Sequence, residues 1–249
     1  MAKEHYAKME PVDIFTISSE VKGKVLQVYE NQLGKKLSKV PYILIDDSLD
    51  QQDLVATKKK IQAIESMVAV DKDIIQNLEK SVQRKEQNYK SIQNLSVKSK
   101  IQKDTIYFDL INTKNQLLST KKELQNYHLQ LADLKYKKAV LEKSINDKKV
   151  SSENMVLYEL FVKKGQYVTP GMLLAKVADI SKGILTIYVD QDELAGITEK
   201  KVYINSQETP YKVSRVSFIA DSVNISKYKV QIITNPPKIF SKLVKVELK

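Results

Sequence analysis

From about Leu49 to Lys148 apolar residues return at intervals of seven, and no other feature of this chain constrains its fold as much. Leu54, Ile61, Val68, Ile75, Val82 and Tyr89 form one series, with Ile64, Leu78 and Ile92 three residues behind its members. After a break near residues 95–103 the repeat resumes at Leu110, Leu117, Leu124, Leu131 and Ile145, accompanied by Tyr127, Leu134 and Leu141. Apolar positions alternately three and four apart make a narrow stripe on a helix, and a strict seven-residue repeat winds that stripe around a partner. Lys, Gln, Asn, Glu and Asp fill the other positions, and neither Gly nor Pro interrupts either arm, so both arms read as solvated, uninterrupted helices. Each arm spans roughly forty-five residues, about 70 Å at 1.5 Å per residue. The pattern predicts an antiparallel coiled-coil hairpin over residues 48–150 with its tip at about 92–103.

Composition narrows the chemistry. With 42% hydrophobic and 29% charged residues the chain is neither disordered nor membrane-embedded. It has no cysteine, which excludes thiol catalysis, cysteine-ligated zinc and disulfides. The two histidines, His5 and His128, are far apart in sequence and read as surface or flanking polar residues. No catalytic residue, metal ligand set or cofactor site is expected. A net charge of +11 raises nucleic acid, an anionic membrane surface or an acidic protein as partners. The lysines, however, are scattered, and Arg84 and Arg215 are the only arginines. Without aromatic platforms interleaved with arginine, nucleic acid is disfavoured. No run of about twenty apolar residues is present, and the opening MAKEHYAKMEPVDIF carries no secretory core segment. Either the chain is soluble and cytosolic, or an N-terminal anchor lies outside it.

Outside the hairpin the text is that of strands. Residues 1–13 lack periodicity and are expected to be a lead-in. From Ile14 the residues turn β-branched and alternating, with turns at Gly23 and Gly34 and a short apolar strand over Tyr42–Asp46. Asp47 or Ser48 is placed to cap the first long helix. After residue 150 the strand pattern returns, with VKKGQYVTPG holding Gly165 and Gly171 in tight turns. Several short strands then follow to Lys249, spaced as in a small antiparallel sandwich or barrel. Half a β-domain (14–47), the hairpin, the other half (151–181) and a barrel (182–249) is therefore the expected order. An antiparallel hairpin suits an insertion, because its two ends emerge side by side.

SSEVKGKVLQVYENQLGKKLSK before the hairpin and VLYELFVKKGQYVTPGMLLAKVAD after it resemble the two halves of a split biotinyl/lipoyl-like domain. The second half carries V-x-x-G-x-x-V-x-x-G at Val162, Gly165, Val168 and Gly171. ILTIYVDQDELAGI then resembles the first strand and rim of a β-barrel. With the heptads in the gap, this ordered set resembles the HlyD family of periplasmic adaptors, also called membrane fusion proteins, of bacterial efflux and type I secretion systems. The resemblance covers residues 17–249. It implies a mixed α and β, elongated fold: a split lipoyl-like β-domain interrupted by a long coiled-coil hairpin, then a small β-barrel.

The resemblance implies a non-enzymatic adaptor that links an inner-membrane transporter, ABC or proton-driven, to a TolC-type outer-membrane channel, with several copies forming a ring. It further implies a periplasmic location and an anchor N-terminal to this chain. True lipoyl and biotin carriers modify a lysine on an exposed turn, but here the hairpin departs from that turn near Asp46–Asp50 and no D-K-A or M-K-M tripeptide stands there, so no swinging-arm cofactor is expected. Family members that dock on such channels carry Arg, then Leu four residues on, then Ser seven further, at the hairpin tip. On this chain the frame falls on Asn88, Ile92 and Ser99, with Leu95 between, and Arg84 and Lys85 lie about one turn earlier. Read without the resemblance, Ile92 closes the coiled coil, and Ser96 and Ser99 cap and turn the helix reversal. A coiled-coil tether of the cell envelope without channel docking is the alternative function.

Overall fold

The computed structural model describes residues 3–94, 99–220 and 226–249. The chain divides into two compact units, one made of the residues up to Asp46 together with Asp147–Lys249, the other of Asp47–Asn146.

In the second unit the heptads produce two helices, α1 (Ser48–Gln93) and α2 (Lys100–Asp147). Leu54, Ile61, Val68, Leu110, Leu131 and Ile145 are buried along their seam, where each large aliphatic side chain contributes roughly 1.5–3 kcal/mol. Interhelical ion pairs fix the antiparallel register: Lys58–Glu142 at 3.7 Å, Glu65–Lys135 at 3.5 Å, Glu79–Lys121 at 2.7 Å and Glu86–Lys114 at 2.6 Å. Ascending α1 matches descending α2 in steps of seven or fourteen. These side chains are about half exposed, so each pair contributes about 0–1 kcal/mol and selects register more than it adds stability. Lys114 nevertheless holds the Glu86 carboxyl below the ordinary carboxylate range.

Three seam positions of α1 break the apolar pattern. Thr57 is buried, and Lys85 reaches Asp109 and the Thr113 hydroxyl of α2, both at 2.8 Å. Asp71 is also buried, yet its Oδ2 meets no hydrogen-bond partner among the described residues. On α2 the Tyr127 hydroxyl donates to Glu123 at 3.0 Å. The Glu123 carboxylate, with a smaller push from Asp71, holds that phenol above its ordinary range.

The first unit is all β: β1 (Glu4–Ser18), β2 (Gly23–Val28) and β3 (Ile43–Ile45) precede the helices. After them come β4 (Lys149–Val150), β5 (Val156–Leu160), β6 (Tyr167–Val168) and β7 (Leu173–Val189). The chain ends with β8 (Val202–Ile204), β9 (Gln207–Glu208), β10 (Val213–Ala220), β11 (Tyr228–Thr234) and β12 (Leu243–Leu248). One sheet runs β4–β3–β2–β6. The other runs β10–β11–β7–β1–β12–β8–β9, with β5 also on β7. All pairings are antiparallel.

Two differences from the sequence expectation follow from this topology. Residues expected as a lead-in belong to β1, where Ala7 and Met9 alternate with exposed neighbours into a core of Leu185, Ile187, Val230, Ile232 and Val246. Alanine is a poor strand former, so the alternation was weak locally, and pairing with β7 and β12 supplies what propensity lacks. The expected closed barrel is an open sheet instead: β10 and β9 end the ladder, and no pairing among the described residues joins them. β8 and β9 have only three and two residues, and β10 is interrupted twice by register shifts against β11.

The expected boundary after residue 181 falls inside β7, a single strand of 17 residues. Its first part lies on a core of Val25, Ile43, Leu157, Val168 and Val177, and its second part on the Leu185 core. The change occurs at an irregularity between Pro11 and Asp13 of β1, opposite Gly183 and Asp179. Proline cannot donate to the ladder. A Cβ on Gly183 would stand 2.6 Å from the Thr234 hydroxyl and 2.7 Å from the Met9 sulfur, which only glycine avoids.

Asp71→Leu replaces a buried carboxylate with an unpartnered oxygen by a seam-filling side chain, so hairpin stability is expected to rise by about 1–3 kcal/mol. Urea unfolding followed by helical circular dichroism measures the change; a fall in the midpoint would show that Asp71 is satisfied.

Candidate functional site

The hairpin tip is built by stitches between helix ends. Asn94 N–H donates to the Ile92 carbonyl as α1 ends, and Lys103 Nζ reaches the Gln93 carbonyl at 3.0 Å, where a cation suits the exposed carbonyls and the negative end of the dipole. α2 opens on a reciprocal cap: Gln102 N–H donates to Ser99 Oγ at 3.3 Å, and Ser99 N–H to Gln102 Oε1 at 3.2 Å. Tyr89 and Tyr107 meet across the helices at a tilt of 46° with ring centres 5.3 Å apart, and Phe108 sets its edge against Tyr107. One turn further from the reversal, Lys85 ties α1 to Asp109 and Thr113.

Against this frame the residues expected at the docking site separate. Asn88 is exposed, and its carbonyl accepts from the Ser91 hydroxyl at 2.8 Å. Ile92 is 7% exposed and faces inward. Ser99 is exposed with its hydroxyl engaged in the α2 cap. Leu95 lies outside the described residues, as does Ser96. Arg84 is exposed, whereas Lys85 is held by Asp109. The apolar surface near the tip comes from residues the heptad reading passed over, Ile101 at 78% and Phe108 at 62% exposure, one heptad apart on α2. Their signal was present in the sequence as apolar residues out of phase with the Leu110–Leu117–Leu124 seam.

The glycine turns carry a structural task. Val162 and Val168 are buried, while Gly165 and Gly171 adopt φ of 89° and 84°, a region open to glycine. That conformation lets the Gly165 N–H donate to the Val25 carbonyl and the Gly171 N–H to the Ser19 carbonyl, both at 2.8 Å. Gly34 N–H donates to Leu157 O, also at 2.8 Å. A Cβ on Gly23 would strike Ile45 at 2.6 Å. All four positions fasten the two halves of the β-unit to each other.

Asp190, Asp192 and Glu193 gather closely enough to suggest a metal centre. Lys3 Nζ already lies 3.0, 3.1 and 3.8 Å from them, and His5 Nε2 is 3.0 Å from Glu193. Lys3 and Lys227 hold the Asp190 carboxyl below its usual range, so the chain's own lysines already engage the cluster. His5, expected in a free N-terminus, is half-buried within β1.

No family model matches the chain, and no curated protein matches it. Solved structures do. MacA from Actinobacillus actinomycetemcomitans superposes with a TM-score of 0.68 at 16% identity, over 100% of this chain and 79% of that one. The membrane fusion protein Spr0693 from Streptococcus pneumoniae R6 gives 0.63 at 13% identity, over 99% and 98%. ZneB from Cupriavidus metallidurans gives 0.50 at 16% identity, over 99% and 97%. The chain has the fold of the membrane fusion proteins. The likeness extends through both units of a membrane fusion fold, and at these identities it speaks for the fold and not for any single residue.

Ile92→Ala is expected to lower hairpin stability by about 2 kcal/mol, and Ile101→Ala to change it by less than about 0.5 kcal/mol. Urea titration of each variant separates the seam residue from the free one; equal effects would contradict the inward placement of Ile92.

Proposed function

We propose that the protein is a non-enzymatic periplasmic adaptor. It links an inner-membrane transporter, ABC or proton-driven, to a TolC-type outer-membrane channel for efflux or secretion, and several copies assemble around one pathway. The observation that carries this reading is the pair of unbroken helices of 46 and 48 residues inserted between the halves of a β-unit, in a membrane fusion fold. Each helix is about 70 Å long, a reach suited to crossing between two membranes. No helix among the described residues is long and apolar enough to cross a membrane. The work is geometric: rigidity, reach and contact at the tip, with no reacting group required.

Channel docking is assigned to the tip around Asn88, Ile92, Leu95 and Ser99. Exposed Ile101 and Phe108 supply apolar knobs at heptad spacing for a partner helix, and Ile92 and Ser99 shape the tip that presents them.

The chain has no cysteine, so Ile101→Cys labelled with a photo-crosslinker, in the anchored protein in its own cells, gives a single reporter. An adduct with an outer-membrane channel is expected. Adducts confined to other copies of the chain, or none from a normally folded protein, would replace the adaptor by an envelope tether.

A further inference from the structure

The sheet of the β-unit that runs from β10 to β9 ends differently at its two sides. β9 is two residues long, and its Glu208 is held by Lys201 at 2.8 Å and by the Tyr203 hydroxyl at 3.0 Å. A short, charged edge of this kind resists further pairing. β10 has eight residues, no proline and no acidic side chain, and β11 is its only strand neighbour among the described residues. An edge of that length presents main-chain donors and acceptors along its free side.

The side chains of β10 shape that edge. Val213 lies in the core and Val216 packs against it. These residues are three apart, whereas residues on one face of a regular strand stand at even intervals; the register shift between Val213 and Arg215 turns both inward. Beyond it Phe218 is 75% and Ile219 81% exposed. Consecutive strand residues point to opposite faces, and both of these are in water, so neither face of this end of β10 is covered. The Ser217 hydroxyl donates to the Ile219 carbonyl at 3.0 Å and accepts from the Ile219 N–H at 3.4 Å. One side chain thus occupies main-chain groups that a neighbouring strand would otherwise take. The charge around the edge has one sign. Residues 209–220 and β11 hold no aspartate or glutamate, and Lys212, Arg215 and Lys229 form no ion pair among the described residues.

We propose that β10 is a docking edge for an extended acidic segment of a partner protein, which adds as a strand beside Lys212–Ile219. Its apolar side chains meet Phe218 and Ile219, and its carboxylates meet Lys212 and Arg215. The main-chain ladder supplies affinity, and the basic side chains select a partner of opposite sign. An anionic bilayer would answer the same charges, but a flat surface covers one face of a sheet end, whereas an added strand brings neighbours to both. The edge belongs to the β-unit, so this contact stands apart from the channel docking assigned to the hairpin tip.

Fluorescence anisotropy with the full chain tests it. The probe is a short fluorescein-labelled peptide that alternates glutamate with valine and phenylalanine. It is expected to bind, and the same peptide with alternate main-chain amides N-methylated is expected not to, because its side chains are unchanged while its ladder donors are gone. Phe218→Asp and Arg215→Glu alter exposed positions, so each is expected to keep the circular dichroism of the unaltered chain while weakening the glutamate peptide roughly fivefold. Arg215→Glu is expected in turn to gain affinity for the matching lysine peptide. Equal binding of the N-methylated peptide would overturn strand addition, and equal binding of the lysine peptide by the unaltered chain would overturn the selection by charge. Failure of every peptide to bind would overturn the site, and co-sedimentation with phosphatidylglycerol vesicles in its place would assign the edge to a membrane surface. Each of these outcomes leaves the tip crosslink, and with it the adaptor reading, unchanged.

Discussion

The β-unit exists only because segments more than a hundred residues apart close on each other through main-chain hydrogen bonds. Ile45 N–H donates to Lys148 O, Tyr42 N–H to Val150 O, and Gly165 and Gly171 donate back to Val25 and Ser19. Closing a flexible loop of about a hundred residues would cost on the order of 4 kcal/mol in chain entropy. The hairpin removes most of that cost, because two helices zipped antiparallel return the chain to its starting point before the strands pair. Heptads and sheet closure are thus coupled, and weakening the seam weakens the β-unit through its unfolded state.

How much of this could be read in advance depended on how far each signal repeats. The hairpin was legible because Leu54, Ile61 and Val68 begin, and Leu110, Leu117 and Leu124 resume, a repeat that runs for about ten turns on each helix. The valine–glycine turn was legible because Val162, Gly165, Val168 and Gly171 each have a single structural task. β1 escaped because Ala7 and Met9 give two weak alternations before Pro11 interrupts them. The open sheet escaped because closure depends on ladders at its ends, where β8 and β9 are too short to announce a partner. At the tip, family spacing pointed to Ile92, but the seam phase already assigned Ile92 inward, and in the structure it is buried.

Charge is arranged to specify more than to stabilise. The interhelical pairs are partly exposed and individually weak, yet their sequence Lys, Glu, Glu, Glu on α1 against Glu, Lys, Lys, Lys on α2 penalises a shifted register. Buried Asp71 acts in the same sense. An unsatisfied carboxylate at a seam position costs stability in any register, and it restricts where along the helix a tight layer can form. At the sheet, Lys245 lies between Glu4 and Glu247, whose carboxylates raise its ammonium pKa. This ties β1 to the last strand, which the sequence places at opposite ends of the chain.

A hairpin of this length has more surface than its single seam can use, and the distribution of residues over that surface is not uniform. Were the outer faces only solvated, lysine and glutamate would suffice there, as they do on the flanks that carry the interhelical pairs. Instead Val55, Met67, Val70 and Ile74 on α1 and Leu118, Leu129, Tyr136 and Val140 on α2 leave apolar area in water away from the seam. Exposed apolar surface of this kind is disfavoured in a free monomer and favoured where it is covered. The length of the hairpin and the apolar residues on its outer faces therefore pose one physical requirement, a long element whose surface is completed only by covering it.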